Sequence, residues 1–274
     1  MSILDKVSTR FVHRSLSVGG EVWSFVETKE EGFPLVLLPG AQGTGDIYFN
    51  QLLTLGQDIR VIAVTYPEVS DCRSLANGFR SFLDELGVSR AVFSGSSFGG
   101  LWLQFFGALF PQYVAGAVLA NSFIDSRAKQ NFLDMALAMS GADLVATVNR
   151  GVQAQAGRSA EHAQLAEVIG ELVGPVQSGE GLQSRLRGLR FSDVAPVIDI
   201  PAERIALIEC DDDPLIDPTM QNEIAARYSR SARHKIEGGE HYPAVLKPDT
   251  YTTILRDFYA AIAKAEAVRI GREG

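Results

Sequence analysis

Apolar residues follow two rhythms along this chain. Short, nearly unbroken apolar runs occur at Pro34–Leu38 (PLVLL), 61–65 (VIAVT), 91–94 (AVFS), Val114–Ala120 (VAGAVLA) and 204–208 (RIALI). Runs of this length and composition read as strands buried on both faces. Residues 21–28 (EVWSFVET) alternate instead and predict an early antiparallel strand. A last short strand is expected at 235–237, ahead of a glycine loop and a final helix. Helical spacing fills the gaps. Residues 74–86 bring Leu75, Phe79, Phe82, Leu83 and Leu86 to one face, and 98–110 are apolar almost all round, a helix inside the fold that Pro111 ends. Strands alternating with helices predict an α/β protein with a mostly parallel central sheet flanked by helices.

The alternation stops after Asp125. From Ser126 to about Asp193 there is no strand-like run, only Ala-, Gln- and Gly-rich sequence with helical pieces at 130–139 and 159–173. Gly174-Pro175 and residues 178–181 punctuate it. Connections in α/β folds are usually far shorter. The expectation is a core made of residues 1–125 and 196–274, with residues 126–195 inserted as a helical cap at one end of the sheet.

Composition narrows the field of functions. The chain has 274 residues, 46% hydrophobic and 21% charged, enough for a sizeable globular core. Its 25 Lys and Arg against 33 Asp and Glu give a net charge of −8, which argues against nucleic-acid and anionic-membrane partners. Cys72 and Cys210 are far apart and make neither a disulfide framework nor a thiolate metal site. Charges at Asp5, Lys6, Arg10 and Arg14 interrupt any signal-peptide pattern, and no apolar run is long enough for a bilayer span. The reading is a soluble, cytoplasmic protein with a small-molecule partner. The four histidines show no HExxH spacing, and residues 40–45 lack the GK[ST] of a phosphate loop. Neither a metal nor a cofactor is called for.

The candidate chemistry centres on Gly95-Ser96-Ser97-Phe98-Gly99, a G-x-S-x-G match. The bare pattern is weak in a chain with 26 glycines, but here it joins an apolar strand to an apolar helix, the strand–turn–helix context of a nucleophile elbow. A serine hydroxyl needs a base, and the base needs a carboxylate to fix its tautomer. Proteins built on this elbow supply them in the order Ser, Asp or Glu, His. His13 precedes the elbow, His162 reads as a solvated residue of the cap, and His234 stands at the start of the last strand. His241, in GGEHYP on the loop before the last helix, is the candidate base. The acid belongs after strand 204–208, where Asp211, Asp212 and Asp213 stand in a row. Asp213, held extended by Pro214, is the first choice, with Asp211, Asp212 and the more distant Asp125 as alternatives. The oxyanion donors are expected to be the N–H groups of Phe98 and of Ala41 in the loop LLPGAQG, with Gln42 second. An aspartate nucleophile is excluded by Ser97 itself. The cap lacks the tyrosines an epoxide-opening acid pair would need. The sum is a serine hydrolase acting on an ester or thioester of a small or medium apolar acyl group, with Leu133, Met135, Leu137 and Met139 as candidate acyl contacts. Acyl transfer, peptide cleavage and C–C hydrolysis use the same three groups.

These residues resemble the α/β-hydrolase superfamily, and within it the maspardin family. The likeness is carried by LLPGAQGTGDIYFNQLLTL, RVIAVTYPEVSD, FSGSSFGG and above all VLANSFIDS. It implies an α/β-hydrolase fold. It also implies a second reading, a binding or scaffold protein, because animal maspardins keep the serine but lack a histidine at the position of His241. This chain departs from that pattern by having one.

Overall fold

In the computed structural model, which describes residues 2–273, the chain opens with helix α1 (Ile3–Arg10), capped by Ser2 through reciprocal hydrogen bonds with Asp5. Strands β1 (His13–Val18) and β2 (Glu21–Glu27) form an antiparallel hairpin. Then β3 (Pro34–Leu38), α2 (Phe49–Leu55), β4 (Arg60–Thr65), α3 (Cys72–Glu85), β5 (Ala91–Ser96), α4 (Phe98–Leu109) and β6 (Val114–Ala120) alternate. A helical excursion follows: α5 (Gln130–Leu137), α6 (Gly141–Gln153), α7 (Ala160–Leu172) and α8 (Gly179–Phe191). The chain returns through β7 (Ile205–Glu209), α9 (Pro218–Arg227), β8 (Ala232–Lys235), α10 (Pro243–Leu246) and α11 (Pro248–Glu273).

The eight strands make one sheet in the order β1-β2-β4-β3-β5-β6-β7-β8. The pairs of β2 with β1 and β4 are antiparallel, and every pair from β4 to β8 is parallel. Every residue of β3, β6 and β7 is buried, which is why their sequences are apolar throughout apart from Glu209 at the end of β7, where Arg233 pairs with it. Helix α4 is buried from Phe98 to Gly107. Its Trp102 and Phe106 rings each meet Phe79 of α3 edge-on with centroids 5.1 Å apart, favourable geometry that fixes α4 against α3.

Helix α6 was not among the expected helical pieces, and three further details differ from the sequence expectation. The last strand is Ala232–Lys235 and not 235–237, because β8 is a polar edge strand with no apolar run to announce it. Residues 178–181 do not break the excursion: Ser178 caps α8 by accepting from Gly181 N at 2.9 Å. Helix α8 itself was hidden by Gly179, Gly181 and Gly188, which ordinarily disfavour helix. Gly188 is needed there, since a Cβ on it would come within 2.7 Å of Ser70 O. Tertiary packing overrides propensity.

Candidate active site

Ser97 ends β5 and starts α4 with φ 52° and ψ −117°, a conformation that L residues rarely adopt. Such backbone costs of order 1–3 kcal/mol and persists only where its surroundings enforce it. Here Ser97 N donates to Ala120 O at 2.9 Å. The turn is tight enough that a Cβ on Gly95 would sit 2.6 Å from Gly99 O, and one on Gly99 would overlap Leu38 O. Only glycine fits at both ends of the elbow.

His241 lies on the loop between β8 and α10. Its Nδ1 faces both oxygens of Asp213, at 3.0 and 2.9 Å, and both side chains are buried. The Asp213 carboxylate also accepts from Leu215 N (2.7 Å), Ile216 N (3.0 Å) and the Asn121 side chain (2.8 Å). The other three carboxylates point elsewhere. Asp211 is exposed and pairs with Lys235 at 2.7 Å. Asp212 is exposed and accepts from Glu240 N at 3.1 Å. Asp125 accepts from Arg127 N at 2.8 Å and pairs with its guanidinium. Of the four, Asp213 is the one brought to His241.

The loop after β3 passes directly against the serine: a Cβ on Gly40 would be 3.3 Å from Ser97 Cβ. Gln177, between α7 and α8, donates to Ala41 O at 3.3 Å. Gln42 donates to the Tyr242 hydroxyl at 2.5 Å, joining this loop to the residue after His241. Burial pushes the Tyr242 phenol up to about 12, so that it stays protonated. Phe98 N opens α4 and has no acceptor within the helix. Arg185 of α8 reinforces the loop from the excursion side. It is buried, lies against Gly43, and donates to Tyr66 O at 2.9 Å, while Tyr66 OH donates to Pro39 O at 2.6 Å. Burial pulls its pKa down to about 10.

Ser97 and His241 line one cavity of about 430 Å³ that runs into the excursion between α5, α6 and α8. Leu133, Met135, Met139, Leu144, Val148 and Leu186 form much of its wall, and among the described residues no Asp, Glu, Lys or Arg lines it. Leu137, expected among these, packs instead against the core. A smaller cavity of about 170 Å³ adjoins His241 on a more polar side, with Gln155, His162 and Glu240.

His162 is not solvated. Its side chain is only 12% exposed, and Nε2 lies 3.3 Å from Glu240 Oε1, which also pairs with Arg158 at 2.6 Å. His13, in β1, bonds Asp46 at 2.6 Å, and that bond, stronger than the opposing burial, raises its pKa. His234 lies within β8. The links Gln42–Tyr242, Gln177–Ala41 and His162–Glu240 join residues far apart in sequence, and nothing local signals them. Among the described residues no cluster of His, Cys, Asp and Glu is arranged to hold a metal ion, and no helix is long and apolar enough to cross a membrane.

An eight-stranded, mostly parallel sheet with a strained serine between β5 and α4 defines a hydrolase fold, and residues 35–252 match the alpha/beta hydrolase family, to which this chain belongs. Within that family it is similar to maspardin. The human and crab-eating macaque (Macaca fascicularis) proteins are each 35% identical over 111 residues. The match covers 39% of this chain and 36% of maspardin, so it spans well under half of either protein. Among solved structures, an esterase from Thermogutta terrifontis superposes with a TM-score of 0.74 at 16% identity, over 92% of this chain and 99% of that one. An enol-lactonase from Burkholderia xenovorans gives 0.77 at 17% identity, over 89% and 99%. An esterase from Rhodococcus gives 0.70 at 21% identity, over 92% and 99%.

Proposed function

We propose that this protein is a serine hydrolase that cleaves an ester or thioester of a small or medium apolar acyl group. The observation that carries the reading is the buried Asp213–His241 pair, whose histidine lines the same apolar cavity as the strained Ser97. Ser97 Oγ attacks the carbonyl, and His241 Nε2 takes its proton. Asp213, bonded to Nδ1, holds the imidazole in the tautomer that can accept there and stabilises the imidazolium that forms. The N–H groups of Phe98 and Ala41 receive the oxyanion, each worth roughly 3 kcal/mol of transition-state stabilisation. His241 then returns the proton to the departing alcohol or thiol, leaving an acyl-enzyme. Water, deprotonated by the same histidine, attacks the acyl carbonyl and frees Ser97 and the carboxylic acid.

Residues 126–195 act as a cap in this reading. The acyl chain enters the cavity between α5, α6 and α8, where an uncharged wall favours hydrocarbon at about 0.8 kcal/mol per buried CH₂. The leaving group lies toward the polar cavity at Gln155, His162 and Glu240, beside the histidine that protonates it. The solved esterases and the lactonase of the same fold support carboxylic-ester chemistry. The similarity to maspardin favours a second reading, a binding protein that keeps the fold without turnover. The test is hydrolysis of p-nitrophenyl esters from acetate to decanoate. Turnover lost in Ser97→Ala and His241→Ala, with the fold retained, supports the hydrolase. Undiminished turnover in either variant rejects the mechanism.

A further inference from the structure

The segment Ala120-Asn121-Ser122, which opens the ANSFIDS stretch singled out in the sequence, bonds Ser97, Asp213 and the carbonyl that precedes His241. Ala120 O accepts from Ser97 N at 2.9 Å, and Ser122 Oγ donates to Ser97 O at 3.0 Å. Asn121 reaches Asp213 and the residue before His241. Its Nδ2 donates to Asp213 Oδ2 at 2.8 Å and to Glu240 O, the carbonyl just before His241, at 2.6 Å. We propose that Asn121 is a positioning residue that holds Asp213 and His241 in register through this two-way bridge. The proposal rests on the reading of Asp213 and His241 as acid-positioned base.

Several observations converge on it. A carboxylate and a carbonyl both accept only, so the amide nitrogen is the atom that must face them. Asn121 is buried, and its own N–H donates to Ile208 O at 2.8 Å. It therefore ties the end of β6 to the end of β7, to the acid after β7 and to the loop after β8. Its backbone has φ 42°. Among the described residues three non-glycine positions have positive φ: Ser97, Asn121 and Glu240. All three belong to this bonded cluster, where strain is expected if geometry is being enforced. Glycine would meet the backbone demand at Asn121 at no cost, but it has no amide to bridge. Asparagine meets both demands, since it tolerates the left-handed region better than most residues.

The test compares Asn121→Gly, which keeps the backbone and deletes the bridge, with Asn121→Asp, which keeps the shape and sets a carboxylate against Asp213. Three readouts are taken on folded protein: kcat and KM with an acyl ester, the pH profile of kcat/KM, and the low-field NMR signal of the His241 Nδ1 proton. The charged groups that bear on His241 are Asp213 and Glu240, the latter itself paired with His162 and Arg158. Loss of a hydrogen bond to a charged acceptor predicts a fall in kcat of about 10- to 100-fold in Asn121→Gly, with KM within about twofold. The added negative charge of Asn121→Asp stabilises the imidazolium and moves the acidic limb of kcat/KM to higher pH. Both variants shift or broaden the Nδ1 proton signal. A kcat within about twofold of the native value, an unmoved limb and an unchanged signal overturn the proposal. If the native protein hydrolyses nothing, the hydrolase reading fails, and the NMR signal still decides the bridge: an unchanged signal in both variants rejects it.

Discussion

The Asp213 carboxylate meets His241 Nδ1 with both oxygens, at 3.0 and 2.9 Å, across 28 residues of sequence. Its neighbours Asp211 and Asp212 face solvent and bond Lys235 and Glu240 N instead. If Asp213 fixes the tautomer of the base, Asp213→Asn lowers kcat by about 10,000-fold, as loss of a tautomer-fixing carboxylate does elsewhere. Asp211→Asn and Asp212→Asn leave kcat within a few-fold of native. Steady-state kinetics on the three variants checks this. Equal losses in all three contradict a specific role for Asp213.

The cavity wall predicts a chain-length rule. Val148 faces the cavity from α6 and is partly buried. Val148→Phe takes up space between α6 and the other cap helices, so kcat/KM for an octanoyl ester falls at least about tenfold, the equivalent of two lost CH₂ contacts. The acetyl ester, which does not reach that space, is hydrolysed at the native rate. A chain-length series on native and variant protein reads the effect. A uniform loss for all chain lengths contradicts the placement of the acyl group.

A third prediction concerns stability at low pH. Glu266, on α11, is buried at its side chain and bonded by Arg90, Arg204 and Arg269. Burial pushes its carboxyl up, but the hydrogen bonds from the three arginines outweigh burial and hold it down at about 2. The folded pKa thus lies below the unfolded value of about 4.3. Stability from this group is fully present above the unfolded pKa and is lost as pH falls from there through about 2. Glu266→Gln removes the charge at every pH, so its destabilisation, about 3 kcal/mol for a broken buried pair, shows at pH 7 and shrinks toward pH 2. Urea unfolding of both proteins between pH 7 and pH 2 measures it.

What the sequence revealed follows from which interactions are local. Buried strands such as Val114–Ala120 are legible because both faces are apolar. The elbow is legible because Gly95 is demanded by the backbone of Gly99 and Gly100 within the same turn, although Gly99 owes its place to Leu38 and Pro39 of a distant loop. Helix α8 is not legible, because what calls for its glycines is distant in sequence: Gly188 packs on Ser70 and Phe98, and Gly179 on Gly141. Strand β8 lies at the sheet edge and has no apolar run to mark its bounds. His162 reads as a surface residue until Glu240, 78 residues away, is brought to it. Asn121 stands in the motif that best marked the resemblance, yet its two acceptors lie 92 and 119 residues downstream.

The central claim is that Ser97 is an activated nucleophile. Fluorophosphonate labelling tests it without knowledge of the substrate. The account predicts rapid stoichiometric labelling of the native protein at Ser97, and its loss in Ser97→Ala and in His241→Ala. A folded native protein that does not label, or a Ser97→Ala variant that labels as fast as native, contradicts it.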